Sequence, residues 1–311
     1  MKTIVITGGA GFIGSNLIER LLLNDSCNII CIDNFITGSL KNIKQYFENP
    51  QFIFIKRDIC NHFELPVDNV DEIYHLACLA SPVKYKKYPI ETLNSSIQGT
   101  QTVLQWCIKY KCKMLFTSTS EVYGDPLVHP QPEEYFGNVN TVGERSCYDE
   151  GKRVCETMLY EYRKAYSLDL KIVRLFNTYG PRMDIEDGRV ITNFINKILH
   201  GEPIEIYGDG SQTRSFCYIY DMLNALILMM ESGEQGPINL GNPYCEFSLN
   251  ELVGLFEKEF GKKLEVNYLE RTQDDPKVRK PVIHKATERL KWRPAITLEE
   301  GIAKTVKYFT K

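Results

Sequence analysis

The chain has 311 residues, of which 43% are hydrophobic and 25% are charged, and its formal net charge is −3. This length allows one large domain or a large and a smaller one, and the balanced charge argues against nucleic acid or an anionic membrane as a partner. The ten cysteines form no CxxC pair and the five histidines no HExxH pattern, so we expect reduced thiols and no metal site. No apolar run approaches the ~20 residues that span a bilayer, and we expect a cytoplasmic protein without a membrane anchor.

Short β-branched apolar runs alternate with helical patterns in the first part of the chain. The runs predict strands at residues 3–6, 28–32, 52–55, 72–76, 113–117 and 171–176. The helical patterns lie near residues 12–23, 39–48, 89–110 and 148–166. Such alternation is typical of an α/β fold with a doubly wound parallel sheet, so we predict a Rossmann domain over residues 1–178.

Glycine and proline turns divide the remaining chain into shorter elements, for example at Gly180-Pro181 and Gly236-Pro237. This pattern predicts a smaller α/β C-terminal lobe, residues 179–311, which would bind the substrate. We expect a segment near residues 213–235, with a helix near 221–230, to pack back on the sheet.

A glycine-rich stretch follows the first predicted strand and opens the first helix. Gly9, Gly11 and Gly14 fit G-x-G-x-x-G, and Gly8 extends the alternative G-x-x-G-x-x-G spacing. Glycine is needed there because the backbone turns sharply and approaches a pyrophosphate at a helix N-terminus. Asp33 ends the second strand about 20 residues later, where a carboxylate accepts ribose hydroxyls and repels the 2′-phosphate of NADP. The pattern therefore predicts NAD.

We predict cofactor contacts from the carboxyl ends of several strands. Asp58, after the third strand, could meet the adenine or could simply cap the strand end. The full predicted set is Gly8, Gly11, Phe12, Ile13, Gly14, Asp33, Asn34, Asp58, Ile59, Leu76, Ala77, Tyr148, Lys152 and Thr178.

Tyr148 and Lys152 stand four residues apart at a predicted helix start, so they share one helix face. A free phenol has a pKa of about 10, and a neighbouring ammonium favours the phenolate. Thr119, Ser120 and Glu121 follow the fifth strand, where ligands of open α/β sheets bind. The Thr119 hydroxyl could hydrogen-bond a substrate hydroxyl, and Glu121 adds a carboxylate for proton transfer.

Six blocks of sequence carry a closer resemblance: residues 119–126, 147–153, 176–183, 187–190, 210–214, and 274–276 with 279–281. With the glycine loop, they make the chain similar to the extended short-chain dehydrogenases/reductases of the sugar-nucleotide epimerase/dehydratase group. Within that group it most resembles the UDP-glucuronic acid decarboxylases. The resemblance implies UDP-glucuronic acid as substrate, oxidation at C4 by resident NAD, loss of carbon dioxide, and re-reduction to UDP-xylose.

The resemblance also implies roles for individual residues. Tyr148 would remove the O4 proton with help from Thr119 and Lys152, Glu121 would handle a proton near C5, and Arg279 would hold the substrate carboxylate. Ser120 stands where the 4,6-dehydratases have an acid, which favours decarboxylation. The substrate diphosphate and uridine would be bound by Asn177, Arg189 and Arg214, and Arg182 could share that role or brace its loop.

Several alternatives stay open at this point. The 4-keto pentose could be released with NADH instead of being reduced, or the enzyme could be an epimerase or dehydratase acting on another nucleotide sugar. The chain also has Asn94 and Ser96 where relatives carry Lys and Asn. We expect a homodimer formed by the helices near 91–110 and 149–165, in which Leu104, Ile108 and Met158 serve either the interface or the core.

Overall fold

The computed structural model describes residues 1–23, 26–270 and 278–311, so the resemblance block at 274–276 lies outside the described residues. The strands are β1 (Lys2–Thr7), β2 (Cys27–Asp33), β3 (Phe52–Lys56), β4 (Glu72–His75), β5 (Lys113–Thr119), β6 (Leu170–Leu175), β7 (Thr178–Tyr179), β8 (Ile204–Tyr207), β9 (Thr213–Ser215), β10 (Cys217–Tyr218), β11 (Ile238–Leu240), β12 (Glu246–Ser248), β13 (Val266–Leu269) and β14 (Val278–Arg279). The α-helices are α1 (Phe12–Leu22), α2 (Pro82–Lys87), α3 (Pro89–Tyr110), α4 (Ser146–Tyr166), α5 (Val190–His200), α6 (Ile219–Glu231), α7 (Leu249–Phe260), α8 (His284–Arg289) and α9 (Leu298–Phe309).

Seven parallel strands form the main sheet in the order β11-β6-β5-β4-β1-β2-β3. The order reverses between β1 and β4, which is the switch point where ligands of such sheets bind. The predicted doubly wound α/β class is therefore confirmed.

Helices cover both faces of this sheet because successive strand residues point to opposite sides. Along β1, Ile4 and Ile6 belong to one core cluster with α1 and α6, while Val5 belongs to the other. The second cluster contains Leu104 of α3 and Leu159 of α4, both fully buried. Continuous burial on both sides explains why the strands are apolar throughout.

Two predictions about the elements were wrong. The segment near 39–48 forms two 3₁₀ turns, Leu40–Asn42 and Lys44–Tyr46, in place of an α-helix. Its course is set by tertiary contacts, because the backbone N–H of Ser39 and the side-chain amide of Asn42 both donate to the carbonyl of Ala10. The seventh strand of the sheet, β11, was not predicted, because a run of three residues is too short to show the hydrophobic pattern of a strand.

The segments after β6 form small sheets beside the carboxyl ends of the main strands. β7 pairs with β10, β8 pairs with β13, and β9 lies between β12 and β14. Helix α6 packs on α1, and β11 joins β6 at the edge of the main sheet. The chain thus crosses between the two parts several times, and β14 brings Arg279 beside Arg214 of β9.

Candidate active site

A cavity of about 850 Å³ runs along the carboxyl ends of the main strands and contains nearly all predicted site residues. The whole predicted cofactor set lines it, from Gly8 to Thr178, and so do Thr119, Ser120, Glu121, Asn177, Arg189 and Arg214. Among the predicted residues, Arg279 is the exception. The structure thus brings most of the predicted site residues together around one cavity.

The glycine loop is packed so tightly that side chains would not fit. A Cβ on Gly14 would collide with the carbonyl oxygen of Gly8 and would lie 2.7 Å from the Cα of Gly9. Gly8 has φ +72°, and a Cβ there would lie 2.8 Å from the Cα of Ala77. This bare backbone at the N-terminus of α1 fits a pyrophosphate, whose charge the free N–H groups and helix dipole stabilise.

Asp33 closes the end of β2 beside this loop. One carboxylate oxygen accepts the backbone N–H of Ala10 at 3.0 Å, and the other accepts that of Phe35 at 2.8 Å. Burial raises the pKa of Asp33, while these two hydrogen bonds oppose the rise. The carboxylate is therefore held rigidly at the position that meets a ribose in a dinucleotide site.

Asp58 follows β3 and lines the cavity, and its Oδ1 accepts the backbone N–H of Cys60 at 2.9 Å. Its contact with the adenine stays a prediction.

Tyr148 lies in the first turn of α4 and is 6% exposed. Its ring stacks on Tyr85 with centroids 5.3 Å apart and an interplanar angle of 6°. Burial raises its pKa, as does nearby Cys78, whereas a hydrogen bond with the Thr119 side chain lowers it. Ionisation of Tyr148 therefore needs positive charge in addition to what the protein alone supplies.

Lys152 follows one helical turn later and is buried. Its ammonium donates to the carbonyl oxygen of Thr117 at 2.7 Å and lies 4.6 Å from the centre of the Phe116 ring. Helix α4 is thereby fastened to the end of β5, which keeps Tyr148 and Thr119 together.

Glu121 lies in the 3₁₀ turn Ser120–Tyr123, directly after β5. Arg145 Nη2 approaches its Oε2 at 2.5 Å, and Arg279 Nη2 approaches the same oxygen at 3.3 Å. Burial would raise the pKa of Glu121, but Arg279, Arg145 and Arg214 outweigh it and lower that pKa to about 2. The carboxylate is therefore ionised near neutral pH.

Arg279 does not reach the cavity, which departs from the expectation that it holds a substrate carboxylate. Its side chain is 1% exposed, and its guanidinium donates to the carbonyl oxygens of Ser120 and Gly124 and to Glu121. Ser120 and Glu121 line the cavity, so Arg279 contacts the cavity wall from behind, and its Nε has no hydrogen-bond partner among the described residues. Arg279 thus supports the 120–124 turn from beneath.

The remaining predicted basic residues, Arg182, Arg189 and Arg214, also line the cavity, and Arg214 contributes to the lowered pKa of Glu121. Arg189 is paired with Asp187, with Nη2 2.8 Å from Oδ2. Arg182 lines the cavity but donates to the carbonyl oxygen of Ser15 at 2.9 Å and to Glu19 at 2.7 Å. It therefore braces its loop against α1.

The cavity residues that sequence reasoning missed include Arg145 and Tyr85. Arg145 precedes the recognised 147–153 block by two residues, and Tyr85 belongs to the short helix α2. A basic residue one turn before the Tyr–Lys pair was the available signal for Arg145. For Tyr85 there was none, because its stacking on Tyr148 depends on tertiary contact.

In the described part of the chain, no helix combines the length and apolar character required to cross a bilayer. Within residues 1–23, 26–270 and 278–311, no three His, Cys, Asp or Glu side chains are grouped so that they could hold a metal ion.

Comparisons with known proteins agree with this geometry. Residues 4–241 match the model of the NAD-dependent epimerase/dehydratase family. The chain is 48% identical over 299 residues to UDP-glucuronic acid decarboxylase 3 of Arabidopsis thaliana, covering 96% of this chain and 86% of the relative. It is 46% identical over 310 residues to UDP-glucuronic acid decarboxylase 1 of Xenopus tropicalis, covering 100% of this chain and 72% of the relative.

Solved structures show the same fold with ligands bound. The UDP-glucuronic acid 4-epimerase of Bacillus cereus, in complex with UDP-glucuronic acid and NAD, superposes with a TM-score of 0.88 at 30% identity, covering 99% of both chains. The dTDP-glucose 4,6-dehydratase of Bacillus anthracis, in complex with NAD, gives a TM-score of 0.85 at 26% identity, covering 100% of this chain and 97% of the other.

Proposed function

Since the chain belongs to the NAD-dependent epimerase/dehydratase family, we propose that it converts UDP-glucuronic acid to UDP-xylose and carbon dioxide. The predicted NAD cofactor is confirmed at the level of the family, and the bare glycine loop with Asp33 fits it. The curated relatives at 46–48% identity support the choice of substrate.

The observation that carries the proposal is the positive charge gathered around Glu121 at the end of β5. Arg145 lines the cavity there, and Arg279 lies directly behind. Ser120, beside them, cannot serve as the acid that expels a C6 hydroxyl. This end of the cavity therefore suits a sugar whose C6 is a carboxylate, because a guanidinium can pair with it.

When bound, NAD would supply the hydride chemistry at C4 of the sugar, as acceptor and then as donor. The chain's own residues supply the proton chemistry. We assign Tyr148 as the base that takes the O4 proton, with the Thr119 hydroxyl hydrogen-bonded to it. Lys152 adds positive charge on the same helix face, which favours the phenolate.

Oxidation at C4 places the substrate carboxylate β to a ketone. The C5–C6 bond can then break, and its electron pair enters an enolate while carbon dioxide leaves. C5 must next gain a proton. Glu121 cannot donate it near neutral pH, because its pKa is about 2. We therefore assign Glu121 to orient water or a sugar hydroxyl, and Arg279 to hold Glu121 in place.

The proposal is tested by incubating the purified protein with NAD and UDP-glucuronic acid and identifying products by NMR. We expect equal amounts of UDP-xylose and carbon dioxide and no net NADH. Stoichiometric NADH with UDP-4-keto-pentose would show that the intermediate is released. Absence of carbon dioxide would contradict decarboxylation and leave an epimerase or dehydratase.

We also propose a homodimer formed through α3 and α4. Leu104 is fully buried in the core, whereas Ile90 and Ile97 of α3 and Val154 of α4 are 64%, 38% and 39% exposed. Such exposed apolar residues on adjacent helices suit a helix–helix interface. Light scattering of the purified protein tests this, and a monomeric mass at micromolar concentration would contradict it.

For localisation we propose the cytoplasm. All ten cysteines are free thiols, which suits a reducing compartment.

A further inference from the structure

Two guanidinium and two carboxyl groups meet beneath the carboxyl end of β5. Arg145 and Glu121 line the cavity, and Arg279 and Asp149 lie behind them, 1% and 7% exposed. Asp149 directly follows Tyr148 on α4, and no role has so far been assigned to it. We refer to Glu121, Arg145, Asp149 and Arg279 as the carboxylate cluster.

The two carboxyl groups of this cluster are held very differently. Glu121 takes the close contacts of both arginines, at 2.5 Å from Arg145 and 3.3 Å from Arg279. Asp149 has Arg145 Nε only at 4.0 Å from its Oδ2. Its Oδ1 is buried and has no hydrogen-bond partner among the described residues. An ionised Asp149 would thus be a poorly compensated buried anion, which is unfavourable.

The protonation of Asp149 decides the net charge of the cluster. With both carboxyl groups ionised, two negative and two positive charges cancel. With Asp149 neutral, the cluster carries one net positive charge at the end of the cavity where the sugar carboxylate is proposed to lie.

We propose that Asp149 is a positioning residue that, by retaining its proton, leaves the carboxylate cluster one net positive charge and so makes the cavity selective for a nucleotide sugar with a carboxylate. The proposal rests on the proposed function for the identity of the ligand. A neutral sugar gains nothing from this charge, whereas a sugar carboxylate beside Arg145 is attracted by the net positive charge of the cluster.

The surroundings of Asp149 agree with a retained proton. Burial raises its pKa to about 8; Glu121 contributes to the rise and Arg145 and Arg279 oppose it. The other ionisable groups facing it are Glu150, Cys147 and Tyr85. Asp149 is therefore neutral below about pH 8, and the cluster loses its net charge above that pH.

The test compares an anionic and a neutral ligand across pH, because shared effects on the nucleotide then cancel. The NAD-bound enzyme is assayed between pH 6.5 and 9.5 for the KM of UDP-glucuronic acid and the inhibition constant of UDP-glucose. We expect the ratio of KM to inhibition constant to rise about tenfold in the wild type, with its midpoint near pH 8. In Asp149→Asn, which is neutral at every pH, the ratio should stay flat.

The matched control is Glu150→Gln, which removes a carboxylate from the same helical turn. Glu150 is paired with Arg153 at 3.4 Å and its side chain is 35% exposed. This control should keep the wild-type rise. Three results would each overturn the proposal. They are a ratio of KM to inhibition constant that stays flat in the wild type, a ratio that still rises in Asp149→Asn, and a ratio that no longer rises in Glu150→Gln.

Asp149→Ser replaces Asp149→Asn if the latter does not fold, and the ratio measured for the wild type alone can still contradict the proposal. If no carbon dioxide is formed at all, the proposed function fails separately. Calorimetric binding of UDP-glucuronic acid and UDP-glucose across the same pH range then tests the charge of the cluster without turnover.

Discussion

The two ends of the cavity recognise charged ligands by different means. At the cofactor end, recognition relies on backbone: tightly packed glycines, the start of α1, and one carboxylate fixed by backbone N–H groups. At the sugar end, it relies on side chains, with Arg145, Arg189 and Glu121 arranged in ion pairs. The first end should therefore be sensitive to added volume, and the second to a changed charge or a lost proton acceptor.

The largest expected effect is at the sugar end, where Tyr148→Phe removes the proposed base. We expect kcat to fall by about 10³-fold or more, since general-base catalysis contributes roughly 10²–10⁴-fold and no other described phenol occupies this position. NAD affinity should change little, because the ring and its stacking on Tyr85 are kept. Initial rates and NAD fluorescence titration measure the two quantities.

Tyr85→Phe is the matched control for this prediction. The Tyr85 hydroxyl has no hydrogen-bond partner within the described residues, and its ring would still stack on Tyr148. Its kcat should stay within a few-fold of the wild type. Equal losses in the two variants would show that the stack, and not the Tyr148 hydroxyl, matters.

At the cofactor end, the corresponding change is Gly14→Ala. The added Cβ would collide with the carbonyl oxygen of Gly8, which is backbone and cannot rotate away. We expect the Kd for NAD to increase about 100-fold, because the phosphate-binding turn must open. Calorimetry measures the affinity.

Gly254→Ala provides the control for volume alone. Gly254 lies within α7, and a Cβ there would meet nothing within 4 Å. NAD binding should be unchanged, and stability should rise by about 0.5–1 kcal/mol because alanine favours the helix. If Gly14→Ala bound NAD as the wild type does, the tight-backbone account of the cofactor end would be incorrect.

The same difference explains which parts could be predicted from sequence. The glycine loop and Asp33 lie within one β-α-β unit, so local spacing identifies them, and all predicted cofactor residues line the cavity. The sugar end joins Glu121 to Arg279, which are 158 positions apart. A motif can point to Arg279 as important, but only the packing of β14 beside β9 shows that it is buried behind Glu121.

Short or tertiary-stabilised elements escaped prediction for a related reason. β11 has three residues, and the turns near 40–46 are fixed by contacts with Ala10. Neither element produces a recognisable hydrophobic periodicity in the sequence. The unpartnered Oδ1 of Asp149 likewise follows only from how the start of α4 packs against Glu121 and Arg279.

A smaller effect is expected on stability when the charge at the sugar end is changed. In Glu121→Gln we expect the free energy of unfolding at pH 7 to fall by about 2–3 kcal/mol, because the buried Arg279 and the partly buried Arg145 lose the carboxylate that they share. The pKa of Glu121 is lowered from 4.5 to about 2, so its contribution is complete above about pH 4.5 and is lost as pH falls towards 2. The difference between the two proteins should therefore shrink between pH 7 and pH 3 in urea unfolding.

The exposed ion pair of Glu300 with Lys304 gives the comparison for that experiment. Their N···O distance is 2.6 Å, but both side chains are more than 40% exposed. Glu300→Gln should change the free energy of unfolding by less than about 0.5 kcal/mol, since solvent screens such pairs. If both variants lost the same free energy of unfolding, burial would not be the reason why Glu121 stabilises the fold.

The smallest effect should come from Asp33→Asn, which changes charge at the end that depends mainly on backbone. The amide keeps one acceptor for a backbone N–H but loses the other, so we expect the Kd for NAD to increase about tenfold. Loss of the negative charge should at the same time reduce the penalty for a 2′-phosphate, so the preference for NAD over NADP should narrow. Titration of both cofactors gives the ratio directly. If NAD and NADP affinities fell by the same factor, Asp33 would act on the shape of the loop, and the cofactor end would select its ligand by backbone alone.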